Sequence, residues 1–182
     1  VTWTLTGQHN RLNALAALAA ARHVGILPEQ GIDALCRFTH VKRRMELRGE
    51  VSGIKIYDDF AHHPTAIATT LQGLRAQVGQ KRIIAVLEPR SNTMQMGVHA
   101  DQLASSLQDA DQVYLYAPDD LNWQPKKMME NLHGRFHLSN HVQQLIADIT
   151  DSVRPGDTIL IMSNGGFANI HERLLNALQK KK

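Results

Sequence analysis

A single cysteine, Cys36, means that no disulfide can form within the chain, which fits a reducing compartment and makes the cytoplasm the expected location. Cys36 shares a helical pattern with Ile32 and Leu35 and has no histidine close in sequence to activate it, so a buried structural thiol is expected rather than a nucleophile. No apolar run approaches the ~20 residues that a membrane span needs. The start of the chain lacks a signal-peptide pattern, and no membrane partner is expected. Charge of one sign is also scarce: the formal net charge is only +3 over 182 residues, and the pI of about 9.2 comes partly from the terminal Lys180-Lys181-Lys182. With the other basic residues scattered, that run reads as a solvated helix end, and no nucleic-acid partner is expected. No Gly-x-x-x-x-Gly-Lys-Ser/Thr phosphate loop and no Gly-x-Gly-x-x-Gly fingerprint occurs, so any nucleotide site is incomplete in this piece. The first residue is Val1 rather than Met, which suggests a processed or excised piece. What is present is ample core material, 43% hydrophobic and 20% charged residues, enough for one to one-and-a-half globular domains.

Taken in order, Val1 to Leu5 has the β-branched and aromatic character of a strand, ending at Gly7. The Ala- and Leu-rich stretch from Gln8 to His23 predicts a helix stopped by Gly25, and Pro28 opens a second, shorter one. Met45 to Val51, with Gly49 and Gly53, reads as a short ribbon or linker, and a domain boundary is expected near residues 46–52. Strands are then predicted at 54–59, 82–87, 112–116, 135–138 and 158–162. Helices are expected at about 64–78, 98–109, 141–151 and 169–180, with a short helix or loop at 121–132. Continuous apolar strands alternating with helices predict an α/β fold: a Rossmann-like, mostly parallel sheet with helices on both faces.

In such a sheet the loops after the strands at 54–59, 82–87, 112–116 and 158–162 open on one edge, where ligands bind. Four polar stretches gather there: Asp58-Asp59 with His62-His63, Glu88 to Met94, Pro118-Asp119-Asp120, and Ser163-Asn164-Gly165-Gly166. The last two are each explicable as turn chemistry taken alone. Adjacent histidines do not present i, i+3 or i+4 ligands from a helix, and no third soft ligand is near, so a metal centre is not expected. Asp59 or His62 could instead cap the helix beginning at Pro64. Arg90 is suited to bidentate capture of a carboxylate or phosphate, its alternative being an ion pair with Asp58 or Asp59.

Three landmarks in order carry a family resemblance. Gly7-Gln8-His9-Asn10-Arg11-Leu12-Asn13-Ala14 resembles the Gly-x-His-Asn-x-x-Asn-Ala helix near the end of the central ATPase domain of the Mur ligases. Arg44 before Met45-Glu46 resembles that family's arginine at the join to the last domain. Asp59 matches the aspartate of its Asp-Asp-Tyr/Phe-x-His-His-Pro-Thr motif. The resemblance implies that residues 1–48 are the helical tail of the ATPase domain and 49–182 the C-terminal substrate domain. It also implies that Asn10 and Asn13 lie on the adenine side of ATP, with Arg44 and Asp59 near phosphates and ribose. ATP and Mg²⁺ are the implied cofactors, both needing the missing central domain.

Within the family, Asp58 to Thr65 followed by Glu88-Pro89-Arg90-Ser91-Asn92-Thr93 looks closest to the recycling member that joins L-alanyl-γ-D-glutamyl-meso-diaminopimelate to UDP-N-acetylmuramate. The sibling that adds free L-alanine typically carries Gln-Pro-His-Arg-Tyr-Thr at that loop. Implied substrate contacts are Arg90, Ser91, Asn92, Asn164 and Gly165, with Arg90 and Asn92 suited to a peptide carboxylate. Implied catalytic residues are Arg44, Asp59, His62 and His63, the histidines orienting or deprotonating the incoming amine. The fragment alone should be inactive, as a monomer or weak dimer. The alternatives are the L-alanine-adding ligase and a non-catalytic ligand-binding module.

Overall fold

The computed structural model describes residues 1–182 apart from 4, 6, 40, 92, 93, 95, 98, 99, 120, 122, 126–131, 133 and 182. Its first part is a helical pair. Gly7, at φ 90°, turns the chain into α1 (Gln8–His23), and Gly25, also at φ 90°, ends it by donating its N–H to the Arg22 carbonyl. Pro28 starts α2 (Pro28–Cys36), where the missing N–H costs nothing. The pair buries little: Ala14 is the one buried residue of α1, α2 has none, and Leu12, Leu15, Val24 and Leu27 are all exposed.

Two expectations fail in this part. The strand expected over Val1 to Leu5 does not form in residues 1–3 or 5, because β propensity is expressed only where a neighbouring strand supplies the ladder. Cys36 is exposed rather than buried: its helical pattern was real, but α2 sets no face against a core.

The second part is a six-stranded sheet in the order β1-β2-β6-β3-β4-β5. β1 (Glu46–Val51) is antiparallel to β2 (Ile54–Asp59), joined by Ser52 and Gly53, both at positive φ as a tight two-residue hairpin requires. The expected ribbon is therefore the edge of the main sheet. β3 (Ile83–Leu87), β4 (Gln112–Tyr116), β5 (Phe136–Ser139) and β6 (Thr158–Met162) all run parallel to β2 or to one another.

Strand alternation divides the core in two. Tyr57, Ala85, Leu87, Val113 and Leu160 face α3 (Pro64–Val78) and α4 (Ala100–Ser106) through Ile67, Leu71, Leu74 and Leu103. Ile56, Ile84, Val86, Ile159 and Ile161 face α5 (Val142–Ser152) and α6 (Ile170–Lys180) through Leu145, Ile149, Ile170 and Leu174. Both faces are covered, which is why β3 and, after its first residue Thr158, β6 are apolar at every position, and both are buried throughout. The predicted α/β sheet with helices on both faces is the fold observed. The expected segment at 121–132 falls mostly outside the described residues. Among those described, no helix is long and apolar enough to cross a membrane.

Candidate functional site

Parallel pairing brings the ends of β2, β3 and β6 level, with Asp59 and Leu87 both opposite Met162. Adjacent residues of a strand point to opposite faces, so Asp58 and Asp59 do not work together as the motif suggests. Asp59 lies on the α3 face. It is 2% exposed, and its carboxylate accepts the N–H of Ala61 at 2.8 Å and of Met45 at 2.9 Å. Burial pushes its pKa up, assisted by the neighbouring charge of Asp58 and opposed by those two hydrogen bonds and by Arg44.

Asp58, 3% exposed, lies on the α6 face, 3.2 Å from Nε of Arg43 and 3.3 Å from Nε2 of His171. Burial alone would raise its pKa, but His171 and Arg43 together hold it below the ordinary carboxylate value. The two histidines also part company. His63 is the N-cap of α3, its Nδ1 accepting the Thr65 N–H at 3.3 Å. His62 places Nδ1 2.8 Å from the Phe60 carbonyl. A carbonyl only accepts, so the proton sits on Nδ1 and Nε2 is left with its lone pair in the neutral ring. One sequence motif thus serves four separate purposes.

Between α1, the 41–45 segment and α3 lies a cleft of about 850 Å³. Its polar lining includes Asn10, Asn13, Arg44, Asp59 and His63, and its apolar lining includes Trp3, Ala14, Ala17 and Phe38. Asn10, Asn13, Arg44 and Asp59, singled out in the sequence as nucleotide contacts, therefore converge on one cavity, and His63 joins them. His62 is not among the lining residues. Amide groups, an apolar wall containing Trp3 and Phe38, and a guanidinium beside a buried carboxylate are a set suited to a purine nucleotide polyphosphate.

The second group lies at the ends of β3 and β6. The Arg90 side chain rests directly on Gly165, where a Cβ would collide with it, so glycine is needed for this approach. Ser163 Oγ donates to the Glu88 carboxylate and accepts the Gly165 N–H at 2.8 Å, joining the two loops. The Asn164 Oδ1 is buried with no hydrogen-bond partner among the described residues. Ser91 Oγ accepts the Met94 N–H at 3.4 Å, and Asn92 lies outside the described residues. The ion pair considered between Arg90 and Asp58 or Asp59 does not form, since Arg43 and His171 occupy Asp58 and backbone N–H groups occupy Asp59. In the Pro118-Asp119-Asp120 turn, Asp119 accepts from Asn140 at 2.9 Å, and Asp120 lies outside the described residues.

Sequence reasoning passed over Arg43 and His171. Arg43 adjoins Arg44 in a turn before β1, where no strand alternation tells which way either side chain points. His171 is the second residue of the amphipathic helix α6, where a lone histidine carries no signal.

A family model described as the Mur ligase, glutamate ligase domain matches residues 43–165. The chain is 52% identical over all 182 residues to the UDP-N-acetylmuramate–L-alanyl-γ-D-glutamyl-meso-2,6-diaminoheptandioate ligase of Escherichia coli, of which it covers 40%. It is 32% identical over 188 aligned positions to the UDP-N-acetylmuramate–L-alanine ligase of Symbiobacterium thermophilum, covering 97% of this chain and 39% of that protein. Among solved structures, a murein peptide ligase from Psychrobacter arcticus superimposes with a TM-score of 0.77 at 46% identity, covering 98% of this chain and 38% of that one. The chain thus spans about 40% of the length of the curated relatives it matches.

Proposed function

The chain belongs to the Mur ligase family, and from that premise we propose that it is the C-terminal part of an ATP-dependent, ADP-forming ligase. The full protein would join L-alanyl-γ-D-glutamyl-meso-diaminopimelate to UDP-N-acetylmuramate in peptidoglycan recycling, in the cytoplasm. The observation that carries the nucleotide half is the convergence of Asn10, Asn13, Arg44 and Asp59 on one cleft. The choice of tripeptide over alanine is supported by 52% identity to a tripeptide ligase against 32% to an alanine ligase. We retain two parts, a nucleotide-side tail and a substrate domain, but move their boundary from 48/49 to before Glu46, because β1, paired along its length with β2, belongs whole to its sheet.

ATP supplies the phosphoryl group that activates the muramoyl carboxylate, and the peptide amine then displaces phosphate from the acyl phosphate. In this chain Arg44 would face the polyphosphate, and Asp59 fixes the Met45 backbone beside it, so the contribution would be positioning and charge stabilisation. We assign Mg²⁺ to the phosphates and to groups outside these 182 residues. Arg90, free of an ion pair among the described residues, would take a peptide carboxylate, with the Asn164 Oδ1 offering an acceptor nearby. His62, with Nε2 available as a base, would orient or deprotonate the incoming amine.

The test is ADP release by the full-length protein with UDP-N-acetylmuramate and either tripeptide or L-alanine. Turnover with tripeptide at least tenfold above that with alanine, on the scale by which a single recognition group discriminates, is the expected outcome (about tenfold or more). Equal or better turnover with alanine would assign the chain to the alanine-adding ligase, and ligand binding without ADP release would leave only a binding module.

A further inference from the structure

We propose that Arg43, Asp58 and His171 form a positioning triad that sets Arg44 and Asp59 against the nucleotide cleft from the opposite face of the sheet. The proposal rests on the cleft being the nucleotide site. Segment 43–46 crosses the carboxyl end of β2 and is tied down on both sides. On one side the Arg43 guanidinium meets the Asp58 carboxylate through Nε at 3.2 Å and donates through Nη2 to the Ser163 carbonyl at 2.6 Å. On the other, the Met45 N–H donates to Asp59 at 2.9 Å. The Arg43 carbonyl accepts the Phe60 N–H at 2.8 Å, and its own N–H donates to Glu46 at 2.9 Å.

Arg44 lies between these anchors, exposed, with its guanidinium 6.0 Å from the Phe60 ring centroid; Arg43 lies 5.2 Å from the same ring. Arg43 and Met45 are both left-handed, at φ 58° and 51°. Side-chain-bearing residues adopt that conformation at a cost, and it persists where surrounding contacts over-determine it. The contacts that do so here are those of Arg43 with Asp58 and of Met45 with Asp59.

His171 completes the arrangement. It projects from the first turn of α6, is 7% exposed, and lies 3.3 Å from Asp58 Oδ1 without the alignment of a hydrogen bond, a contact that is an ion pair only when the imidazole is protonated. The Arg43–Asp58 ion pair is a poor source of net stability, since desolvation offsets the attraction, and its role in this arrangement is to hold one geometry. Asp58 therefore couples α6 and, through Arg43, the Ser163 loop to the residue that faces the nucleotide. None of the three triad residues lines the cleft.

The test uses the full-length enzyme with ATP, UDP-N-acetylmuramate and tripeptide. Arg43→Ala and Asp58→Asn are each expected to raise KM for ATP about tenfold, the scale of a sub-ångström misplacement, while KM for tripeptide stays within about twofold. The double variant should be no worse than the poorer single one, because both remove the same linkage. Arg43→Lys, keeping the charge, should recover part of the loss, and His171→Gln gives a milder probe if Asp58→Asn folds poorly. An unchanged KM for ATP would overturn the proposal, as would equal rises in both KM values tracking a drop in Tm, which mark a merely structural role. Arg44→Ala separates the two levels: if it lowers kcat/KM for ATP while the triad variants leave KM for ATP unchanged, only the triad fails. If Arg44→Ala leaves both KM and kcat/KM for ATP unchanged, the nucleotide assignment fails and the triad with it.

Discussion

Arg44→Ala in the full-length enzyme is expected to lower kcat/KM for ATP by about 10²–10³-fold, the usual loss when one fixed charge-stabilising group is removed from a phosphoryl- or acyl-transfer site. Arg44 lines the cleft together with the buried carboxylate of Asp59. Its backbone is held by the hydrogen bonds of Arg43 and Met45 on either side, so little reorganisation accompanies the chemistry. Because the Arg44 side chain is exposed and makes no ion pair among the described residues, stability should change by no more than about 0.5 kcal/mol. A large kinetic effect without a thermal shift is the signature to look for in steady-state kinetics paired with a melting curve. Arg44→Lys should recover only part of the loss, since an ammonium cannot offer the planar fork of donors. If Arg44→Ala keeps wild-type kcat/KM for ATP, the cleft is not where phosphate charge is handled.

His62→Ala is expected to lower kcat by about 10²-fold or more while KM for ATP stays within about twofold, as removal of a general base does. The geometry favours His62 over its neighbour. His63 is spent on capping α3 and belongs to the cleft wall, whereas His62 has its Nδ1 proton fixed by the Phe60 carbonyl and Nε2 left to accept. Its ring also stands edge-on to Phe60 at 5.2 Å between centroids, which holds it in one orientation. His63→Ala should act differently, through loss of the cap, costing about 1 kcal/mol of stability. Unchanged turnover in both variants would remove the histidines from the mechanism.

How much of this was legible varied by residue. Apolar strands alternating with helices predicted the doubly covered sheet, because all of β3 and every residue of β6 after Thr158 are apolar, leaving neither strand an alternating polar face for water. The convergence of Asn10, Asn13, Arg44 and Asp59 was legible only through family resemblance, since nothing in local spacing says that α1 faces the β2–α3 turn. The separation of Asp58 from Asp59 was available from strand alternation, yet a dense motif invites reading as one cluster. The left-handed backbone at Arg43 and Met45 was not readable, as neither residue type favours it. Cys36 misled because helical periodicity predicts a face without saying what covers it.

The most direct test is a crystal structure of the full-length protein with a non-hydrolysable ATP analogue. The account predicts the analogue in the cleft between α1 and α3, its adenine beside Asn10 and Asn13 and its phosphates and ribose beside Arg44 and Asp59. An analogue bound elsewhere, with these four residues facing an empty cleft, would contradict it.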